Sequence, residues 1–376
     1  MRIGIDARFY GSVGKGLGRY TSELIAQLEC LDTENDYVIF LRKSNFGSYT
    51  PKNPRFTKIL AEFPWYTWRE QLLYPLWLRK FRLDLMHFLH FNVPFLYLRP
   101  YVVTVHDLIL LSHPTIRATT LGPLRYWIKF TLYRLVITRA IRSACAVIAV
   151  SNFTKNEIRG RFPFMRARDI TVTYEACSAA VAGVMTAPRA ETIPQPFMMY
   201  VGNAYPHKNL ETLLVAFAEF RKRGYTNYRL LLVGSPDYFY DRLRNEAEKK
   251  YLDEHVDFFG HATDEELAAL YTRAQIYVFP SLCEGFGLPP LEAMNKGLPV
   301  ASSNTCSLPE ILGDAARYFD PHDPEKIADA LEILASDTTL RETLKEKGSV
   351  RATQFNWLTC GKKTLEIYLN TRTSHA

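Results

Sequence analysis

From Leu108 to Asn156 the chain carries no aspartate and no glutamate, although it holds Arg117, Arg125, Lys129, Arg134, Arg139, Arg142 and Lys155. Those seven cations match the formal net charge of +7 on the whole 376-residue chain. A cationic block without acids favours an anionic partner: a phosphate-bearing ligand, a nucleic acid or an acidic lipid surface. Other absences narrow the class. No apolar run reaches the length a spanning helix needs, so none is expected. The opening "MRIGIDARFYG" enters a strand-like segment with no apolar signal core, which predicts a cytoplasmic protein. The six cysteines, Cys30, Cys145, Cys177, Cys283, Cys306 and Cys360, show no C-x-x-C spacing. They are expected to be reduced thiols, neither a disulfide framework nor a zinc site. No D-x-D lies between apolar runs, and no His/Asp/Glu cluster has ligand spacing. A phosphorylated ligand would then be held without a dedicated metal, by lysine and helix amides.

What is present is an alternation of β-rich runs and helical stretches. "RIGID", "YVIFL", "YVVTV", "AVIAV" and "ITVTY" mark the first half; "FMMYV", "YRLLLV", "VDFF" and "QIYVF" mark the second. The runs are apolar throughout, as in parallel strands covered by helices on both faces. The prediction is an α/β, doubly wound protein of two domains. Between the halves, "SAAVAGVMTAPRAETIPQP" (Ser178 to Pro196) reads as a linker. Each half opens alike, with a strand, a glycine-containing loop and an amphipathic helix. Two Rossmann-like domains would face each other across a cleft, with ligands at the carboxyl ends of the strands.

Two loops could hold phosphate. "GSVGKGLGRY" places Gly11, Gly14, Gly16 and Gly18 before a helix expected from about Tyr20. The spacing fits neither a dinucleotide fingerprint nor a P-loop. Glycines would let a ligand approach the backbone and helix amides, although a plain tight turn explains them equally well. In the second half, "GNAYPHKN" puts Lys208 at a helix start, where a cation opposes the macrodipole. Phosphate neutralisation is the better account. "YVVTVHDL" leaves His106 and Asp107 just past a strand end, and a hydrogen-bonded structural histidine is the competing reading.

The most informative stretch is "SLCEGFGLPPLEAMNKGLPV", with Glu284 and Glu292 eight residues apart. Pro289 and Pro290 suit a helix first turn and put the helix start between the two acids. Glu292 would fall near the third helical position, where the dipole favours it. Glu284 lies among amides of Gly285 to Leu288 that could bind a ligand. Different elements argue against a symmetric acid/base dyad.

Taken together, "EGFGLPPLE" resembles the E-x7-E signature of retaining glycosyltransferases. "GKGLGRY", "TVHDL", "VSNFTKNEI", "VGNAYPHKN" and "VDFFGHATDEELAALY" extend the resemblance to glycosyltransferase family 4 over nearly the whole chain. The resemblance implies a GT-B fold with an N-terminal acceptor-binding domain over residues 1–180 and a nucleotide-sugar-binding domain over 195–354. A C-terminal helix of about 355–376 is expected to pack back on the first. It also implies roles. Lys208 would contact the donor diphosphate. Glu284 would meet the sugar hydroxyls. Phe286, Gly287 and Leu288 would present amides to sugar and phosphate, and Glu292 would bind the ribose. His106 would lie by the reacting centre, Gly16 and Gly18 would approach the phosphates, and Phe259 and Gly260 would pass the base. Many family members carry an arginine in the second loop, where this chain has Asn203 and His207. The implied reaction is metal-independent, needs no cofactor beyond the nucleotide-sugar substrate, and proceeds by same-face substitution.

"FPWYTWREQLLYPLWLRK" and "DLMHFLHFNVPF" resemble mannosyltransferases that build bacterial surface polysaccharides, which implies GDP-mannose as donor and a glycan or lipid-linked acceptor. A sugar-nucleotide epimerase of the same fold and an inactive nucleotide-sugar-binding subunit are the alternatives. In a helix from about Leu124 to Arg142, Arg125, Lys129, Arg139 and Arg142 share an arc of roughly 140°. Such a face suggests docking at the inner side of an anionic membrane. A solvated basic face of a buried helix explains it as well, and no nucleic-acid-reading motif is present.

Overall fold

The computed structural model describes residues 1–11, 15–115, 122–177 and 187–373. The chain divides into two units, Met1–Glu175 with Asn356–Ala376, and Ala176–Phe355. In the first, β1 (Arg2–Asp6), β2 (Asp36–Leu41), β3 (Phe56–Leu60), β4 (Leu85–Phe88), β5 (Tyr101–Val105), β6 (Ala146–Ala149) and β7 (Ile170–Val172) form one sheet. Its order is β3-β2-β1-β4-β5-β6-β7, and every pair is parallel. In the second, β8 (Phe197–Val201), β9 (Arg229–Val233), β10 (Val256–Gly260), β11 (Ile276–Phe279), β12 (Val300–Ser303) and β13 (Ala316–Phe319) form a parallel sheet ordered β10-β9-β8-β11-β12-β13. Each order reverses beside its first strand, between β1 and β4 and between β8 and β11. A doubly wound sheet offers its crevice at those points.

The apolar runs are buried on both faces: β5 and β11 have no exposed residue. Polar side chains inside the sheets are satisfied locally. His87, beside Ile5 in the register, bonds Tyr368 Oη at 2.5 Å and Thr104 Oγ1 at 2.9 Å. Burial, aided by the charge of His106, drops its pKa to about 3, so it stays neutral. Tyr368 belongs to the C-terminal helix Trp357–Thr373, which completes the first unit. Gly361 lets this helix pack closely on the helix Lys15–Leu31, because a Cβ there would lie 2.7 Å from Gln27 Cβ.

Two expectations need correction. The helix expected from Tyr20 starts at Lys15, so Gly16 and Gly18 lie within its first turn; Gly14 is outside the described residues. The linker expected over Ser178–Pro196 is structured from Ala187 onward. There Pro188–Glu191 forms a helical turn, and Arg189 Nη1 donates to His261 O at 3.0 Å. Residues 178–186 lie outside the described part.

Candidate active site

In the second unit, the loop after β8 is held by its own backbone. Gly202 has φ +153°, and a Cβ there would meet the Tyr200 hydroxyl at 2.5 Å. That hydroxyl donates to Asn203 O at 2.8 Å. Pro206–Lys208 makes a 3-10 turn, and Asn209 then adopts a left-handed backbone before the helix Leu210–Lys222. Asn209 Nδ2 donates to Pro280 O and Pro321 O, and Leu282 N donates to His207 O at 2.8 Å. The loops after β8 and β11 are thus stitched together. The result is a charge-assisted bond from Lys208 Nζ to Glu284 Oε1 at 2.6 Å, with both side chains mostly buried.

The loop after β11 is equally constrained. Ser303 Oγ donates to Ser281 O at 2.6 Å, and Ser307 Oγ donates to Glu284 O and Phe286 O. Cys283 and Cys306 are joined as a disulfide, with Cα atoms 5.3 Å apart. This corrects the expectation of six reduced thiols. The two positions are 23 residues apart, and the adjacency of β11 and β12 brings their following loops together. Gly287, at φ +101°, turns the chain into the helix Leu288–Asn295; a Cβ there would press on Leu308 at 2.8 Å. No side chain caps that helix start; Pro289 and Pro290 carry no N–H, so the Leu288 amide and the helix dipole are what favour an anion there.

The helix begins at Leu288, so Glu292 is its fifth residue rather than its third. It therefore gains little from the helix dipole, which acts within the first turn. Glu292 is buried, and Tyr271 Oη donates to its Oε2 at 3.4 Å. Each glutamate has its own hydrogen-bond partner, a lysine for one and a phenol for the other.

Other candidates are less available. Phe286 is buried edge-on to Phe355, with ring centroids 5.6 Å apart. Phe259 is covered by the Arg189 guanidinium at 4.0 Å, beside Gly260 at φ +82°. In the first unit, a Cβ on Gly18 would fall 1.9 Å from Gly11 O, so that glycine serves helix–loop packing. Gly16 has nothing within 4 Å of such a Cβ. His106 has both ring nitrogens on acceptors: Nδ1 lies 2.9 Å from Glu175 Oε1 and Nε2 lies 2.9 Å from Leu89 O. Burial works to lower its pKa, but Glu175, the Leu89 carbonyl and Asp107 outweigh that and raise it. Its nitrogens are already used within the unit.

Two features were missed in the sequence. Arg8, fully buried after β1, donates from Nε and Nη2 to Asp6, from Nη2 to Glu70 Oε1 at 2.7 Å, and from Nη1 to Phe63 O at 2.8 Å. Burial opposes its charge, yet Asp6, Tyr74 and Glu70 hold it protonated. Glu70 also receives Asn92 Nδ2 and the backbone N–H of Tyr66, a residue in left-handed backbone. His90, at the end of β4, stays neutral with a pKa near 3 through burial and the charges of His106 and Arg8. Its Nδ1 accepts from Asn92 N at 3.3 Å, which leaves the proton on Nε2. The motif "HFLHF" was the available signal for His90; for Arg8 none existed. Among the described residues no His/Cys/Asp/Glu cluster is arranged to hold a metal ion.

The family description "Glycosyl transferases group 1" matches residues 186–351, and "Glycosyltransferase Family 4" matches residues 14–177. The chain is 30% identical to the O-antigen chain mannosyltransferase B of Escherichia coli, over 94% of this chain and 95% of that one. It is 24% identical to the O-antigen chain mannosyltransferase RfbU of Salmonella typhimurium, over 86% and 88%. Similar solved structures include a sucrose-phosphate synthase from Thermosynechococcus elongatus (TM-score 0.79, 20% identity, all of both chains). WaaG, a glycosyltransferase involved in lipopolysaccharide biosynthesis, aligns with TM-score 0.74 and 16% identity over 98% and 99%. These share the GT-B fold. With both halves matched and the relative aligned end to end, the chain is a hexosyltransferase of glycosyltransferase family 4.

Proposed function

We propose that the protein is a retaining mannosyltransferase that moves mannose from GDP-mannose to a glycan or a lipid-linked oligosaccharide. The observation that carries this reading is the Lys208–Glu284 pair at the carboxyl ends of β8 and β11, beside the uncapped helix start at Leu288. A donor diphosphate at that helix start would meet Lys208, the Leu288 amide and the helix dipole, which offset charge as the phosphate departs. Glu284, bonded to the same lysine, would accept hydrogen bonds from sugar hydroxyls. Glu292 would bind the ribose, and Asn203, His207, Phe259, Gly260 and the amides of Phe286, Gly287 and Leu288 would complete the donor site. Gly16 and Gly18 would approach the donor phosphates, and His106 would lie by the reacting centre. In a same-face substitution the acceptor oxygen bonds to the anomeric carbon as the carbon–phosphate oxygen bond breaks. The acceptor proton passes to the departing phosphate oxygen.

The mannosyl assignment is supported by the two relatives aligned along most of the chain, both O-antigen chain mannosyltransferases. We place the acceptor at the inner face of a membrane, with Arg125, Lys129, Arg139 and Arg142 toward anionic headgroups. Among the described residues no helix is long and apolar enough to cross a membrane. The test is incubation with GDP-mannose and methyl α-mannoside. An α-linked disaccharide, identified by its anomeric NMR signal, is expected. Epimerised nucleotide sugar without transfer would overturn the reading in favour of an epimerase.

A further inference from the structure

The helix Pro123–Ser143 exposes more than cations. Leu124, Ile128, Leu132 and Leu135 are all more than half exposed. At 100° per residue they share an arc of about 80°, opposite the buried Tyr126, Ile137 and Ala140. Arg125 and Lys129 flank this arc on one side and Arg134 on the other, all exposed. Over its first three turns the outward face is therefore an apolar stripe edged by cations, and Arg139 and Arg142 continue its arc toward the C-terminal end. A second stripe lies on the helix Trp68–Leu78, where Trp68, Leu72 and Leu76 recur every fourth residue and are exposed. Between them runs the segment of Phe95, Leu96 and Leu98, with Leu98 75% exposed. The three parts touch: Phe95 N donates to Gln71 Oε1 at 2.8 Å, and the Arg139 guanidinium sits 5.8 Å from the Phe95 ring. From Gln71 to Asn156 only Asp84 and Asp107 are acidic, against eleven lysines and arginines.

We infer that this two-helix face of the first unit inserts into an anionic phospholipid bilayer, with its leucines and tryptophans in the acyl boundary and its cations at the headgroups. The inference rests on the membrane reading above and gives it a surface and a mode: insertion rather than adsorption by charge alone. An exposed apolar stripe costs free energy in water, and one edged with lysine and arginine suits an interfacial position. Nucleic acid would use the cations but leave the leucines wet. A second copy would bring like charges face to face, which disfavours self-pairing.

The experiment uses the full chain with vesicles of phosphatidylcholine, with and without phosphatidylglycerol. Binding to the phosphatidylglycerol vesicles is expected, with tryptophan emission moving to the blue as Trp68 and Trp127 leave water. Leu72→Glu with Leu76→Glu should weaken vesicle affinity about tenfold or more, while the GDP-mannose-induced rise in melting temperature is unchanged. Arg125→Glu with Lys129→Glu should weaken it to a similar degree. Absence of vesicle binding by a protein that still responds to GDP-mannose would overturn the inference and leave the proposed activity standing. Equal binding by the double leucine variant would also overturn it. So would a dimer, seen by light scattering, that this variant dissociates without any vesicle binding by the parent. Failure to respond to any nucleotide sugar, with vesicle binding intact, would strike the proposed activity instead.

Discussion

Each sheet carries a cation–carboxylate contact beyond its first strand, and the two differ in what they leave over. Arg8, after β1, uses all three guanidinium nitrogens on Asp6, Glu70 and a backbone carbonyl, and is 1% exposed. Lys208, after β8, gives one of its three N–H donors to Glu284, in a pair that still meets solvent. Both occupy the place where a doubly wound sheet binds ligands. Strand-end position is common to both; what sets Lys208 apart, and supports proposing it for the donor, is unspent hydrogen-bonding capacity.

The largest effect that would sharpen this contrast is Arg8→Met. It strands Asp6 and Glu70 as buried carboxylates and should cost about 3–5 kcal/mol of stability, read by denaturant unfolding. Lys208→Met strands only Glu284, in a pair that still meets solvent, so it should cost less stability than Arg8→Met. It should lower kcat about 100-fold to 1,000-fold, as expected for loss of one charge-stabilising group. If Lys208→Met unfolds the protein while Arg8→Met is silent, the contrast is broken. Gly18→Ala should destabilise by about 1–3 kcal/mol, because its Cβ meets the Gly11 carbonyl; Gly16→Ala should be near neutral. A strong loss of donor response in Gly16→Ala alone would return that loop to the phosphate site.

The remaining effects are in pH. His106 has a raised folded pKa, so its stabilisation is full below the unfolded value and is lost as pH rises through the folded one. His87 and His90, with folded values near 3, act oppositely: they take up protons on unfolding, so stability falls as pH drops below about 6.5. Melting temperature against pH should therefore fall on both sides of neutrality. His106→Gln should flatten the alkaline side only.

Much of the fold was readable because parallel strands buried on both faces are continuous apolar runs. β3 (FTKIL), β4 (LMHF), β12 (VASS) and β13 (ARYF) were not, since an exposed edge, a histidine, two serines and an arginine interrupt the pattern. The serines of β12 are tolerated because their hydroxyls find carbonyls nearby, Ser303 on Ser281 O among them. The E-x7-E stretch was legible because proline and glycine impose a turn and a helix start with few alternatives. The helix start at Lys15 was not, because two glycines argue locally against a helix that tertiary packing then requires. The Cys283–Cys306 link depends on strand order, and the Arg8 network on contacts 55 and 62 residues apart; spacing carries neither.

The most direct test of the central claim is a melting-temperature panel of GDP-mannose, UDP-glucose and GDP on the parent and on Lys208→Met. A ligand that binds only the native state raises the melting temperature. The account predicts a rise with GDP-mannose and none with UDP-glucose, much reduced in Lys208→Met. A rise with UDP-glucose alone, or the same GDP-mannose rise in both proteins, would contradict it.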